Sequence, residues 1–561
     1  MVKVLCKTFS NNSLDISAFF EGLDGDFHKK SDNDSEKKAS KKYQVYGNQS
    51  IEEEHARLAT MDEFSRDLIK TSIKDTSDLP IGGVVVYSDE KFALYDPTDS
   101  HNIVISSTGS RKTTLVVIPS LYTIARAGEC AFIADPKGEI YDASRGIFEM
   151  KGYRIVRINM RDLLHSTKWN PLTIAFIWYN SDDVNLHNRG ETMLFDFVKT
   201  ICPIMSKTDP YWDRAGQNAL IGAGLILFRY CKDLEMVNMR SLSALIRLII
   251  DQDEDMMSFI ERLRSGDTIK ESLEAIIKLP DSTRHCVTSF SKEALAPYTT
   301  QDAIASLLSE DEIHLDKIVE EKTVVFITTP DERSTYNGIV SCFIKQSYEI
   351  LINYADSCKG HTLPRRVNYV IDEFASFPEI INFDNMISAA RSRNIRFLLI
   401  LQGLKQLYNV YGFNIGSNIW GNCSNTFFLT SREDELLESI VKLGGKKKNG
   451  DDLFTTAGLQ RLNKENGECI IFHNRCHPFI SRFVRFDEWE DSHIKTEDDS
   501  ETECRFTIPK VFEFDGNVSS NGKIDAVRRS SIALEELSTL YNNSADQKVS
   551  EAIGILKVLH S

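Results

Sequence analysis

An apolar stretch that leads directly into a short polar loop is the feature that most constrains how this chain folds. The stretch is Asn102–Ile105, and Ser106 follows it directly. The residues that follow it are Ser107, Thr108, Gly109, Ser110, Arg111, Lys112, Thr113 and Thr114. This order is typical of a buried β-strand, a phosphate-binding loop and the first turn of a helix. Amide groups of such a loop surround phosphate oxygens, so the segment predicts a nucleotide site.

The residues of the loop have separate expected roles. Lys112 is expected to reach the β- and γ-phosphates of ATP, and the Thr113 hydroxyl to hold Mg²⁺. The nucleotide is expected to contact Thr108, Gly109, Ser110, Arg111, Lys112, Thr113 and Thr114. A plain turn is the alternative interpretation, because Ser, Thr and Gly also cluster in ordinary turns.

Two positions of the loop depart from the usual pattern. Ser106 and Arg111 stand where glycines are expected. A side chain at a position with positive φ costs on the order of 1–2 kcal/mol. The departures therefore predict a loop that binds nucleotide more readily than it supports rapid hydrolysis.

A second apolar strand, Val367–Ile371, ends in two carboxylates. Asp372 is expected to complete the Mg²⁺ shell, and Glu373 to orient and deprotonate the attacking water. Two solvated acids at a strand end are the alternative. The presence of Lys112 and Thr113 earlier in the chain favours the nucleotide interpretation.

A third strand, Arg396–Leu401, ends in an amide side chain. Gln402 is expected to sense the γ-phosphate. Arg391 and Arg393 precede this strand, and an arginine given to the nucleotide of a neighbouring subunit stabilises transition-state charge. Surface arginines are also often solvated or ion-paired, which is the alternative for both.

Further segments of the chain carry a family resemblance. They are His55–Glu63, Val117–Leu121, Ala134–Glu139 with its Asp-Pro-Lys-Gly-Glu sequence, Trp169–Leu172 and Gly421–Cys423. With the loop and the strand ends described above, they resemble the coupling proteins of type IV secretion and conjugation, motor ATPases of the TraG/VirD type. The resemblance extends from about His55 to Phe486.

The resemblance implies an α/β fold, with a RecA-like P-loop nucleotide-binding domain and an inserted all-α domain. It implies an ATPase that uses ATP and Mg²⁺ and assembles as a homo-hexameric ring. Its cargo would be DNA, single-stranded and carried with a relaxase, or a DNA-protein conjugate. The ring would recruit this cargo and translocate it through its pore to the proteins of a secretion channel.

The sequence divides into four parts. Residues 1–50 are polar and predict a disordered leader, whereas residues 51–180 and 315–486 predict the nucleotide-binding domain. Residues 181–314 show helical patterns without convincing strands and predict the all-α insertion. Residues 487–561 predict an acidic linker and a helical tail.

Two local predictions concern the start of the nucleotide-binding domain. The pattern of Met61–Lys74 predicts a helix. The segments Val84–Tyr87 and Phe92–Tyr95 predict a β-hairpin.

Composition and charge favour a cytoplasmic protein. The net charge of −16 argues against a surface that coats nucleic acid, although Lys29–Lys42 and the loop with Lys446, Lys447 and Lys448 are locally basic. A solvated loop is the favoured interpretation of both segments, and the alternative for the three lysines is that they line the pore and touch phosphates. The cysteines lack Cys-x-x-Cys spacing, which indicates a reducing compartment.

Metal and membrane signals are weak. His473, Cys476 and His477 are interpreted as a turn rather than a zinc site. The longest apolar run, Ala219–Phe228, has about half the length that spans a bilayer and predicts a buried helix. No signal peptide is expected, so contact with the inner face of the membrane would require a partner protein.

Two other functions remain open from the sequence. The first is a platform that binds nucleotide statically, or not at all, and recruits substrates as an adaptor. The second is a related DNA-pumping motor for chromosome processing or phage defence.

Overall fold

The computed structural model of this chain describes residues 55–205, 208–473, 476–489 and 506–514. The predicted leader, the basic stretch 29–42, most of the acidic linker and the predicted C-terminal helices lie outside the described residues. The strands are β1 Ile69–Ser72, β2 Val84–Ser88, β3 Phe92–Asp96, β4 Asn102–Ile105, β5 Cys130–Ala134, β6 Arg154–Asn159, β7 Thr323–Thr328, β8 Val367–Ile371, β9 Ile395–Leu401, β10 Asn425–Phe428, β11 Cys469–His473 and β12 Phe479–Ser481.

The helices connect these strands and cover the sheet. They are α1 Met61–Phe64, α2 Ile118–Arg126, α3 Glu139–Met150, α4 Thr173–Tyr179, α5 Val184–Ile201, α6 Tyr211–Tyr230, α7 Met239–Ile250, α8 Glu254–Arg262, α9 Thr268–Ile277, α10 Asp281–Thr299, α11 Asp302–Leu307, α12 Asn337–Ser357, α13 Phe383–Ala390, α14 Leu404–Asn422, α15 Asp434–Gly444 and α16 Thr456–Leu459. A π-helical turn, Thr113–Val117, leads into α2.

A nine-stranded sheet in the order β12-β11-β10-β4-β9-β8-β5-β7-β6 organises the fold. The strands from β10 to β6 run parallel, and β11 and β12 extend the sheet in antiparallel pairing. Continuous Val, Ile, Leu and Phe runs, such as those of β7 and β9, are buried along their whole length. Strands covered by helices on both faces require such runs. The predicted α/β class is confirmed.

A small second sheet, in the order β1-β3-β2, precedes the nucleotide loop. The predicted hairpin of β2 and β3 is confirmed. The predicted helix over Met61–Lys74 is wrong, because α1 ends at Phe64 and β1 pairs with β3. Thr60 and Glu63 form a capping box that starts α1. Pairing of β1 with the edge of β3 outweighed the helical periodicity of the residues after Phe64.

Helices alone fill the described residues between β6 and β7. The apolar run Ala219–Phe228 lies within α6 and is mostly buried, as predicted. Gly190 of α5 allows a close crossing with α4, because a Cβ atom there would lie 2.3 Å from the amide nitrogen of Tyr179. Throughout the described residues, no helix is long and apolar enough to cross a membrane.

A buried charge network ties together the edge at which the parallel strands begin. Glu129 Oε2 accepts hydrogen bonds from Asn368 at 2.9 Å and from Arg396 at 3.3 Å, and its Oε1 accepts the amide of Gly82 at 2.9 Å. Arg366 lies 3.6 Å from the same carboxylate. Burial lowers the pKa of Arg396 to about 10, and the charge of Glu129 opposes this shift. Each partner compensates the desolvation of the other.

Removing one charge of this network should therefore be costly. Glu129→Gln is expected to lower the free energy of unfolding by about 2–4 kcal/mol, because the Arg396 cation would stay buried without its counter-charge. Urea unfolding of the full chain measures the change. Glu310→Gln is the control, since its pair with Lys168 leaves the glutamate 47% exposed and should contribute under about 1 kcal/mol. Equal shifts for the two variants would contradict the prediction.

Candidate nucleotide site

The register of the parallel strands brings the ends of β4, β5, β8 and β9 to one edge of the sheet. Ile105 at the end of β4 lies opposite Leu401 of β9, and Ile371 of β8 lies opposite Ala134 of β5. The next residues along these strands are Ser106, Gln402, Asp372 and Asp135. This edge is where loops of parallel α/β sheets form ligand sites.

The polar loop after β4 has two residues in the left-handed backbone region. Gly109 has φ +73° and nothing within 4 Å of the position where a Cβ would stand. Arg111 has φ +63°, so the strain expected for a side chain at this position is confirmed. Ser106 is not in the left-handed region, and the strain expected there is absent. Its hydroxyl faces the Thr430 carbonyl oxygen at 3.4 Å.

The helix after the loop begins with the π-helical turn Thr113–Val117. Such turns are rare and frequently lie at functional sites. Thr113 is partly exposed at the start of this turn, and the Thr114 hydroxyl donates to the Arg111 carbonyl oxygen at 3.2 Å.

A chain of polar contacts connects the loop to the ends of β8 and β9. The Lys112 ammonium lies 3.3 Å from Glu373 Oε1, and the Gln402 amide donates to Glu373 Oε2 at 2.6 Å. The Thr108 hydroxyl donates to Gln402 Oε1 at 3.2 Å. Glu373 has φ +52°, a strained conformation for a residue other than glycine. The structure thus joins Thr108, Lys112, Glu373 and Gln402.

Two buried carboxyl groups lie beside this chain. Burial raises the pKa of Asp372 to about 6; Lys112 opposes the rise and Glu373 adds to it. Burial also raises the pKa of Asp135 to about 7, and the charge of Asp372 adds to that shift. Asp135 accepts the amides of Gly138 and Tyr141 at 3.0 and 2.8 Å. Asp372 Oδ1 accepts no hydrogen bond from the described residues.

Arg391 and Arg393 lie apart from this site. They form the 3₁₀ turn before β9, whereas Gln402 follows that strand, so the length of β9 separates them from Gln402. Arg393 lies 3.5 Å from Asp356, and Arg391 is exposed. The structure therefore does not bring either arginine to the phosphate-binding loop of its own chain.

The basic loop also lies away from the nucleotide edge. Lys446, Lys447 and Lys448 are exposed after α15, and Lys446 pairs with Asp452 at 3.2 Å. Phe454, at the end of this loop, contacts Phe472 of β11, which lies opposite Thr426 near the start of β10. The loop is thus on the side where the parallel strands begin. Within the described residues, no group of three or more His, Cys, Asp and Glu side chains is arranged to hold a metal ion.

Sequence analysis missed two residues of the site. Asp135 was part of the family resemblance without an assigned role, although its position directly after an apolar strand was a usable signal. Glu465 pairs with Arg111 at 2.7 Å from a turn before β11. No local pattern indicates that contact, because it depends on how distant segments pack.

Comparisons with solved structures show the same fold. The bacterial conjugative coupling protein TrwBΔN70 in complex with sulphate matches with 15% identity and a TM-score of 0.52, over 76% of this chain and 92% of that protein. Plasmid coupling protein TrwB with the ATP analogue ADPNP matches with 14% identity and a TM-score of 0.54, over 81% and 97%. TrwB with ADP and Mg²⁺ matches with 14% identity and a TM-score of 0.52, over 77% and 94%. They support the RecA-like P-loop fold with an all-α domain.

Sequence comparisons identify the family. No curated protein sequence gives a significant match. A family model for conjugative DNA transfer by the type IV secretory system matches residues 53–463, almost three quarters of the chain. This match confirms the resemblance carried by the loop, the strand ends and the Asp-Pro-Lys-Gly-Glu segment. The chain therefore belongs to the type IV secretory system conjugative DNA transfer family.

Proposed function

We propose that this protein is a coupling ATPase that binds Mg²⁺-ATP at this edge of the sheet and uses its hydrolysis to move DNA toward a type IV secretion channel. One observation carries the proposal. The contacts of Lys112, Glu373 and Gln402, with Asp372 beside them, bring together side chains that would serve as the cation, the base, the sensor and the metal ligand that phosphoryl transfer to water requires. A site that only bound nucleotide would need no base.

The side chains of the site fit a magnesium-bound triphosphate. Asp372 Oδ1 and Ser110 Oγ are buried, and neither has a hydrogen-bond partner among the described residues. Buried polar atoms of this kind are rarely left unsatisfied. Nothing lies within 4 Å of the position where a Cβ of Gly109 would stand, which leaves the loop open to a phosphate there. Asp372 and Thr113 would hold Mg²⁺, which supplies charge neutralisation at the phosphates.

The contacts of Glu373 suggest how nucleotide binding would prepare the base. In the structure, the Glu373 carboxylate is shared between Lys112 and Gln402. Phosphate oxygens would compete for Lys112 and leave Glu373 held by Gln402 alone. Glu373 would then take a proton from the attacking water, and Gln402 would report the state of the γ-phosphate to α14, which begins two residues later.

The proposal extends to the assembly and its cargo. The position of Arg391 and Arg393 at the far edge of the sheet suits residues that act on a neighbouring subunit's nucleotide in a homo-hexameric ring. Exposed Lys446, Lys447 and Lys448 would contact the phosphates of single-stranded DNA in the pore. A relaxase on the DNA and the secretion-channel proteins would be the partners. The ring would act in the cytoplasm, at the membrane only through such a partner.

Glu373→Gln should separate binding from turnover. The amide keeps the shape and a carbonyl oxygen but accepts no proton, so ATP hydrolysis is expected to fall at least about 100-fold while nucleotide affinity stays within a few fold. Steady-state hydrolysis with and without single-stranded and duplex DNA measures the first quantity, and a fluorescent ADPNP analogue the second. DNA-stimulated turnover that is absent from the variant supports the motor. Wild-type turnover no greater than that of the variant would favour the static platform.

Asp372→Asn tests whether Asp372 carries a buried negative charge that Mg²⁺ would compensate, and the quantity measured is the stability of the protein. A carboxyl whose pKa rises from 3.8 to about 6 on folding destabilises the protein progressively as pH increases through that range. The nucleotide-free variant should therefore be more stable than wild type by about 1–3 kcal/mol at pH 8 and by less at pH 5. Thermal unfolding at both pH values measures this difference.

The same variant should lose the additional stabilisation that Mg²⁺ gives in the presence of ADP. Asp384→Asn, in the first turn of α13, is the control and should retain it. Full retention of the Mg²⁺ effect by Asp372→Asn would contradict the metal assignment.

Complementation tests whether Arg391 acts between subunits. Arg391→Ala alone is expected to lower DNA-stimulated hydrolysis at least about 10-fold without changing nucleotide affinity. The substitution removes a cation that would stabilise the transition-state charge at the nucleotide of a neighbouring subunit. Lys112→Ala should be inactive because it cannot bind phosphate. Mixed rings of the two variants should regain part of the activity at interfaces where both residues are intact. A mixture that hydrolyses ATP no faster than the two variants do separately would contradict action between subunits.

A further inference from the structure

An ion pair joins two distant segments beside the phosphate-binding loop. Arg111 Nη2 lies 2.7 Å from Glu465 Oε2. Arg111 precedes Lys112 directly, and Glu465 belongs to the connection between α16 and β11. The pair therefore links the loop to the antiparallel end of the sheet.

Arg111 is held at its backbone and at its side chain. Its carbonyl oxygen accepts the Leu115 amide at 3.0 Å and the Thr114 hydroxyl at 3.2 Å. With φ +63°, its backbone has a conformation that residues other than glycine adopt at a cost. A contact made by the guanidinium in this conformation opposes relaxation of the loop. Arg111 thus introduces the backbone strain and also supplies the guanidinium group that stabilises the strained conformation.

The turn that carries Glu465 is itself fixed. Asn463 Oδ1 accepts the amides of Glu465 and Asn466 at 3.0 and 3.2 Å, and Glu468 Oε2 accepts the Asn463 amide at 2.9 Å. Gly467 has φ +63°, and a Cβ atom there would lie 2.1 Å from the Phe483 carbonyl oxygen. Close packing and internal hydrogen bonds therefore fix the backbone that carries Glu465, although its side chain is 62% exposed. Less conformational entropy is lost when a pair forms from an ordered side.

We propose that Glu465 is a positioning residue for the phosphate-binding loop. Through its ion pair with Arg111, it holds the left-handed conformation at the position before Lys112 and so prepares the loop for phosphate. A glycine at residue 111 would adopt this conformation without strain and would need no such pair. The effect on nucleotide affinity rests on the proposed function, whereas the effect on the loop does not.

Hydrogen exchange of the nucleotide-free protein tests the effect on the loop. Glu465→Gln is expected to speed exchange of the amides of residues 107–112 by about 2- to 5-fold, the range of exposed ion pairs. The increase should shrink at high salt, which screens the wild-type pair. In an Arg111→Gly background, Glu465→Gln should change nothing further. Glu438→Gln, an exposed glutamate on α15, removes the same charge and should have no effect.

Binding of fluorescent ADPNP tests the consequence for phosphate. Glu465→Gln should weaken binding about 2- to 5-fold, and the same substitution should have no effect when residue 111 is glycine. Tighter binding by Glu465→Gln would overturn the proposal, because it would mean that Glu465 competes with the nucleotide for Arg111. Equal effects of Glu465→Gln on exchange and affinity in both backgrounds would also overturn it.

The two measurements separate this proposal from the proposed function. Coupling of Arg111 and Glu465 in exchange, with no nucleotide binding by wild type, would remove the ATPase and leave the loop contact in place. Normal nucleotide binding without coupling would remove the positioning role and leave the ATPase.

Discussion

The parallel pairing of β4, β9, β8 and β5 is the constraint on which the site depends. The pairs Ile105–Leu401, Leu399–Ile371 and Ala134–Ile371 bring loops from distant parts of the chain to one edge. A slip of one residue would move each strand's side chains to the opposite face of the sheet. Because these strands are fully buried, such a slip would cost much of the core. The hydrophobic packing of the strands thereby fixes the spacing of the polar residues that follow them.

The two edges of the sheet differ in how far their buried carboxyl groups are compensated by neighbouring groups. At the edge where the strands begin, Glu129 is matched by Arg396, Arg366 and Asn368, so its charge is compensated within the fold. At the other edge, Asp372 and Asp135 repel each other, and burial raises the pKa of both. Uncompensated acids reduce stability at neutral pH. Their presence is explained if a divalent cation supplies the missing charge.

The sequence was sufficient where local pattern and burial agree. Uninterrupted apolar strands such as β9, each ending in a polar residue, predicted both the class of fold and the positions of Asp372 and Gln402. It was insufficient where tertiary packing decides. β1 forms because β3 offers an edge, and the contact of Glu465 with Arg111 depends on the turn that Gly467 allows beneath Phe483. The position of Asp135 beside Asp372 depends on the register of β5 against β8, which a single sequence does not contain.

Ser106 and Arg111 differ in what they mean for the loop, although both replace glycines of the usual pattern. Ser106 is buried without positive φ, so its side chain costs no backbone strain there. Arg111 is in the left-handed region, and Glu465 stabilises it from a turn outside the family match. A missing glycine is therefore informative only together with the φ that its position requires. By this criterion, the loop carries one strained position rather than two, and that position has a compensating contact.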